Sequence, residues 1–269
     1  MGIWNNKVVV VTGASDGLGR AIAMTFAAAG AHAVALARNE SRLKDVCSQA
    51  QQQGLSLDWV VADVTNDQSI EEAIKEIVRR RGQIDVWVNN VGKSTRIKFE
   101  QCGVDRYRDL MELNLYSTVR CTLAVLDQLV ATSGQVVNIG SLAAKTGWPN
   151  VAPYSVSKHA LAAFSHQLRI EGPPNINCLF VCPGPIRRPD SQVRYQTESQ
   201  GLGAAASLPG AGVSLKGIEP RDLAQKIVRY CELRKAELVV PWYSRLVFSI
   251  GQLSPTIGDF FLRRSSRKK

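Results

Sequence analysis

Val8-Val9-Val10-Val11 is an unbroken β-branched run, and Thr12-Gly13-Ala14-Ser15-Asp16-Gly17-Leu18-Gly19 carries it directly into the helix-forming stretch Arg20 to Ala29. Few features constrain a chain more. A fully apolar strand must be covered on both faces. Glycines between strand and helix permit a tight turn and close backbone approach, so that the helix N-terminus can receive a pyrophosphate. The pattern then repeats. Apolar runs at Ala33 to Ala37, Leu57 to Ala62, Ile84 to Val88, Gln135 to Ile139, Ile176 to Cys182 and Leu238 to Val240 alternate with helical stretches such as Glu40 to Gln53, Val104 to Val130 and Pro220 to Arg234. This alternation predicts an α/β fold: a doubly wound parallel sheet of about seven strands with helices on both faces, and a ligand at the carboxyl ends of the strands.

A second stretch carries chemistry. Ser141 closes the run Gln135 to Ile139, and beyond the loop Ala143 to Pro153 comes Tyr154-Ser155-Val156-Ser157-Lys158. If Tyr154 opens a helix, Lys158 lies one turn on, on the same face. A phenol with a reference pKa of about 10 is a poor acid–base group at neutral pH. A neighbouring ammonium favours phenolate, and an oxidised nicotinamide adds further positive charge. Ser141 can then hold a carbonyl or hydroxyl oxygen in place. Alone, Y-x-x-x-K is a common spacing on solvated helix faces; its place downstream of a glycine loop gives it weight.

Thr12-Gly13-x-x-x-Gly17-x-Gly19, Asn89-Asn90-Val91-Gly92, Asn114, Ser141, Tyr154, Lys158 and Pro183-Gly184 occur in that order, and through them residues 5 to about 240 resemble the short-chain dehydrogenase/reductase family. The resemblance implies a Rossmann-like single domain over 1–240 and an NAD(P)-dependent oxidoreductase that interconverts a ketone and a secondary alcohol. It implies Tyr154 as acid–base group, Lys158 as the cation that lowers its pKa and holds the nicotinamide ribose, and Ser141 as the group orienting the substrate oxygen. Asn114 is implied in a proton relay, where a broken helical hydrogen bond positions a water that contacts the lysine. Its plainer reading is an exposed polar residue between Leu113 and Leu115. Cofactor contacts are implied for Gly13, Ser15, Gly17, Leu18 and Gly19 in the first loop, and for Asn90, Val91 and Gly92 after the fourth strand. Pro183, Gly184 and Ile186 follow after the sixth, with Tyr154 and Lys158 completing the set. Val91 stands where the family has alanine, and Arg187-Arg188 where a threonine often holds the nicotinamide carboxamide.

The end of the second strand selects the cofactor. An acid there would bond the adenosine ribose of NAD and repel a 2′-phosphate, whereas an arginine accepts that phosphate. Ala37-Arg38-Asn39 offers a cation and no acid, so NADP(H) is favoured, with NAD(H) the alternative; Asp16 stands where NADP users often carry a second cation. In Asp63-Val64, the resemblance assigns the acid to the adenine amino group, and the residues alone assign it to capping a helix that starts near Asp67.

The charge of +10 could point to nucleic acid, but five of the 33 basic residues fall in the last seven positions and the rest are dispersed among acids. Without an aromatic-interleaved basic platform, nucleic acid is not the expected partner. The six cysteines have no metal or C-x-x-C spacing and read as reduced thiols. His159 and His166 have no ligand partner at metal spacing, and no metal site is expected. The first strand begins by Lys7, which leaves no room for a secretory signal, so the expected compartment is the cytoplasm. Glycines punctuate 185–218, which is expected to cover the substrate. The tail 241–269 reads as amphipathic and basic: Tyr243, Leu246, Val247, Ile250 and Leu253 share a helical face, Ser254-Pro255 opens a second helix, and Ile257, Phe260 and Phe261 continue it. Two roles stay open for it: packing on a partner subunit or its own cleft, as in the dimers and tetramers the resemblance implies, or peripheral contact with a membrane, which would suit a steroid or keto-lipid substrate. A non-catalytic NADP(H) sensor or scaffold, and an NAD-dependent alcohol dehydrogenase of the same family, are the competing functional readings.

Overall fold

The computed structural model describes residues 2–188, 199, 202, 206, 209–212 and 215–267, without the side chains of residues 209, 212, 261 and 263–267. The expected substrate cover at 185–218 lies for the most part outside the described residues. Seven strands form one parallel sheet: β1 (Val8–Thr12), β2 (His32–Ala37), β3 (Leu57–Val61), β4 (Val86–Asn89), β5 (Gln135–Ile139), β6 (Asn177–Pro183) and β7 (Glu237–Val240), in the order β3-β2-β1-β4-β5-β6-β7. Val9 pairs with Ala33 on one side and Val86 on the other, so β1 lies mid-sheet. The order reverses there, which opens a crevice at the carboxyl ends of β1 and β4.

Period-two alternation divides β1 between two cores. Val9 and Val11 face α1 (Gly17–Ala28), meeting Leu18, Ile22 and Phe26, and the same layer takes in Leu223 and Ile227 of the late helix Pro220–Glu232. Val8 and Val10 face the other layer, where α3 (Asp67–Arg81) contributes Ile70, Ala73, Ile74 and Ile77, and Val125 and Leu129 come from a later helix. Asn39 caps α2 (Glu40–Gln52) by accepting from Arg42 N at 3.0 Å. Asn66 caps α3 by accepting from Ser69 N at 2.8 Å. Each such cap contributes about 1 kcal/mol.

Beyond shifts of one or two residues at element ends, three expectations are corrected. The stretch Val104 to Val130 is not one helix but α4 (Val104–Met111), a five-residue π segment (Glu112–Tyr116) and α5 (Ser117–Thr132). α6 (Ala152–Glu171) begins before Tyr154, with Pro153 in its first turn, where a missing N–H costs nothing. Asp63 does not cap α3, because Asn66 is nearer and its oxygen reaches Ser69; Asp63 Oδ1 instead accepts from Thr65 N and Thr65 Oγ1 at 2.9 and 2.7 Å. After α7 (Pro220–Glu232) and β7, the tail forms two helices, α8 (Ser244–Leu253) and α9 (Pro255–Arg267), broken at Ser254-Pro255 as the sequence indicates. α8 and α9 pack as a hairpin so close that a Cβ on Gly258 would lie 2.7 Å from Gly251 Cα. Phe248 of α8 anchors the pair on a small cluster of Phe180, Cys182, Leu161 and Val239.

Candidate active site

Gly13 and Gly17 adopt φ of 65° and 52°, in the left-handed region that side chains disfavour, and this turns the chain from β1 into α1. Gly19 has a different reason. A Cβ there would sit 2.3 Å from Gly13 O and 2.5 Å from Asn90 Nδ2, so only glycine lets the helix start against the ends of β1 and β4. Asn90 ties those ends together, donating from Nδ2 to Thr12 O and from N to Thr12 Oγ1, both at 3.0 Å. Val91 packs beside it, its Cγ2 at 3.1 Å from the Cβ position of Gly13. Leu18 is buried and Ser15 half-buried within the loop. This cradle, closed to side chains and lined by backbone at a helix N-terminus, fits a dinucleotide pyrophosphate. Arg188 reaches it from the far side: its guanidinium carbon is 4.0 Å from where a Gly17 Cβ would lie.

At the ends of β2 and β3, Arg38 Nη1 stands 3.6 Å from Asp63 Oδ2, and Arg38 is 76% exposed. Burial alone would raise the Asp63 pKa, but the two Thr65 hydrogen bonds and the Arg38 cation hold it below the usual carboxylate range. Val64 beside it is buried in the core. Asn39 spends its side-chain oxygen on the α2 cap. Arg42 Nη1 lies 3.9 Å from Asp16 Oδ2, a second exposed cation near the loop.

Around Gly92 the remaining groups converge. Asn114 is fully buried, contrary to its plainer reading, and lies within the π segment. Its Oδ1 accepts from Lys93 N at 2.8 Å, while Nδ2 donates to Lys93 O and Ser157 Oγ, both at 2.9 Å. A Cβ on Gly92 would meet Asn114 Oδ1 at 3.0 Å and Lys158 Nζ at 3.3 Å. Lys158 is buried, donates to Ile139 O at 2.8 Å, and has its pKa pushed down to about 8 by desolvation. Its ammonium lies 6.0 Å from the centroid of the Tyr154 ring, one turn back on α6. Ser141 Oγ accepts from Ala143 N at 3.1 Å, which fixes the oxygen and leaves its O–H to donate outward. Ser141, Tyr154, Lys158, Gly92, Pro183 and Gly184 all line one cavity of about 750 Å³, with Leu18, Asn90 and Ile186 on the same wall.

A family model described as short chain dehydrogenase matches residues 7–199. The chain belongs to the short-chain dehydrogenase family. It is therefore an oxidoreductase of the alcohol and ketone class, in a family that uses NAD(P)(H). "Dehydrogenase/reductase SDR family member 7B" of Xenopus laevis is 33% identical to this short-chain dehydrogenase over 97% of this chain and 82% of its own length. A "3beta-hydroxysteroid dehydrogenase" of Mediterraneibacter gnavus is 32% identical over 68% of this chain and 67% of its own. The structure of an alcohol dehydrogenase from Thermococcus sibiricus, complexed with 5-hydroxy-NADP, superposes with a TM-score of 0.72 at 28% identity, covering 87% of this chain and 95% of that one.

Sequence reasoning about this dehydrogenase missed two features. Asn89 donates to Asn138 Oδ1 at 2.9 Å and to Thr122 Oγ1 at 3.1 Å, while Asn138 donates to Ser165 Oγ at 2.9 Å, a fully buried network that locks β4, β5, α5 and α6 behind the site. The signal was Asn138 inside an otherwise apolar strand. The second is which residues of the tail meet the cleft: of the roles left open for it, packing on its own cleft is the one seen, and besides Val247 and Ile250 it is the small residues Gly251, Pro255 and Gly258 that line the cavity.

Proposed function

We propose that residues 1–240 form an NADP(H)-dependent oxidoreductase domain that interconverts a ketone and a secondary alcohol on an apolar substrate. The observation that carries this is the convergence of Lys158 Nζ and Asn114 Oδ1 on Gly92, with Tyr154 one turn from Lys158 and Ser141 on the same cavity. Bound NADPH supplies the hydride and NADP⁺ accepts it. Tyr154 Oη gives its proton to the carbonyl oxygen in reduction and takes it back in oxidation. Lys158 favours the ionised form of Tyr154, and it has three N–H donors, one of them given to Ile139 O and the others suited to ribose hydroxyls. Ser141 donates to the substrate oxygen from a hydroxyl already oriented by Ala143 N. Asn114 acts through its bonds to Lys93 and Ser157, which hold the Gly92 backbone against Lys158.

The NADP preference rests on Arg38, exposed at the end of β2 with no acid in its place, and the Thermococcus relative was seen with an NADP derivative. Arg188 at the Gly17 turn adds a cation where the pyrophosphate would lie. The apolar substrate rests on Leu142, Trp148, Leu215, Phe248 and Leu262 in the cavity wall; the named steroid activity of the M. gnavus relative agrees in kind. Tyr154→Phe removes only the transferable proton, so turnover of ketones with NADPH should fall by about 10² or more while NADPH affinity and folding stay near those of the parent. Substantial turnover by this variant would overturn the assignment.

A further inference from the structure

The hairpin of α8 and α9 has two apolar sides, and the cleft uses only one. Toward the protein it presents Phe248, packed on the cluster under the site, and the cavity-lining Gly251, Pro255 and Gly258. Away from the cavity it exposes Trp242 at 71%, Leu246 at 61% and Leu253 at 88%, with Ile257 on α9 half exposed. Leu246 and Leu253 are seven residues apart and fall on one helical stripe. Between the two sides, Tyr243, Val247 and Ile250 both line the cavity and stand about half exposed, so the apolar surface runs unbroken from solvent into the site. Contiguous exposed apolar surface of this kind marks an interaction site.

Charge decides what covers it. Residues 241–269 contain six cations and a single acid, Asp259, and five of the six are Arg263, Arg264, Arg267, Lys268 and Lys269 at the chain's end. A twofold contact between copies of this chain would bring those cations together, whereas a bilayer with anionic headgroups neutralises them while its acyl region takes the apolar face. Trp and Tyr at the base of α8 suit the boundary between the two. No helix among the described residues is long and apolar enough to cross a membrane, so the contact is lateral. We infer that the α8–α9 hairpin docks on an anionic lipid surface and that the substrate, a long-chain or polycyclic lipid bearing a ketone or secondary alcohol, passes from that surface along Tyr243, Val247 and Ile250 into the cleft. The substrate half of this inference rests on the redox function proposed above.

Sedimentation of the full chain with phosphatidylcholine vesicles, with and without phosphatidylserine, tests the docking half. The protein binds phosphatidylserine vesicles at low salt and is released by high salt. Two variants, Leu246→Glu/Leu253→Glu and Arg263→Ser/Arg264→Ser/Arg267→Ser, each weaken binding about tenfold or more. The first variant changes no cavity-lining residue, so its turnover of a small water-soluble ketone stays at the parent's rate while turnover of a vesicle-dissolved long-chain ketone drops. A full chain that stays in the supernatant overturns the docking, as does equal binding to neutral vesicles. Light scattering that shows a dimer dissolved by Leu246→Glu/Leu253→Glu, in a protein with no vesicle affinity, assigns the face to a second copy instead. Vesicle binding without turnover of either ketone keeps the docking and sinks the redox reading, so the two fail separately.

Discussion

Lys158 sits where a charge is most costly and most useful. Burial lowers its pKa to about 8, against about 10.5 in the unfolded chain, so the unfolded state holds the proton more tightly between those values. The sign follows: the destabilisation is fully present below pH 8, is relieved as pH rises, and is gone above about 10.5. Lys158→Met, similar in volume and uncharged, should therefore make the cofactor-free protein more stable at pH 7 by about 1–3 kcal/mol, with the gap narrowing to about half or less by pH 9.5 and closing only above the unfolded pKa of about 10.5; urea midpoints at pH 7 and 9.5 check it. The same variant should lose most NADPH affinity and turnover, so stability and function move in opposite directions. Arg38 is the opposite case, an exposed cation whose pairing with Asp63 contributes little to stability. A charge-assisted contact to a 2′-phosphate contributes about 1.5–3 kcal/mol, so Arg38→Asp should cut the NADPH over NADH preference about tenfold or more without shifting the thermal midpoint. Fluorescence titration of both cofactors reads this, and equal affinities in the parent would remove the phosphate role from Arg38.

Individual elements differ in how far the sequence announces them. α3 is legible as an element because its stripe Ile70, Ala73, Ile74, Ile77 and Val78 is a local signal, although its cap is not. The π segment is legible only through the resemblance, which implies a broken helical hydrogen bond at Asn114; no local pattern announces it, because what holds it lies elsewhere: Asn114 is bound by the backbone of Lys93 and by Ser157 of α6, residues far apart in sequence. The first-turn contest between Asp63 and Asn66 was invisible for a related reason, since two Asx residues three apart can each cap and only the geometry of Ser69 chooses. In the tail, Ser254-Pro255 announces the break between α8 and α9, but the return of α9 across α8 depends on the contact of Gly251 with Gly258. Small residues let helix backbones approach this closely. Gly258→Val should push the two helices apart, leave NADPH affinity unchanged, and alter KM for a long apolar ketone several-fold; an unchanged KM would mean that the hairpin does not shape the substrate wall.

At the scale of the molecule, the doubly wound sheet was legible because the strands are mostly apolar runs, broken by few polar residues such as Asp58 and Asn138, and their carboxyl ends are where chemistry-bearing residues collect. The candidate site was legible to the extent that its residues lie at those ends: Gly13, Asn90, Ser141 and Pro183 each follow or close a strand. The wall supplied by α8 and α9 was legible only as one of the open roles of the tail, because no local pattern tells an amphipathic segment which of its neighbours it will face. The position of β1 also has a temporal side. It is synthesised before both of its neighbours, pairing with β2 soon after and with β4 only once Val86 to Asn89 has been made. A nascent chain leaving the ribosome thus carries Val8 to Thr12 with one flank open throughout the making of α1, β2, α2, β3 and α3. That flank is a row of unpaired backbone N–H and C=O groups on a strand of β-branched residues, the kind of edge on which chains aggregate. The long wait raises contact order and slows closure of the sheet, so slow translation before β4, or its truncation, is where this protein is most exposed to misassembly.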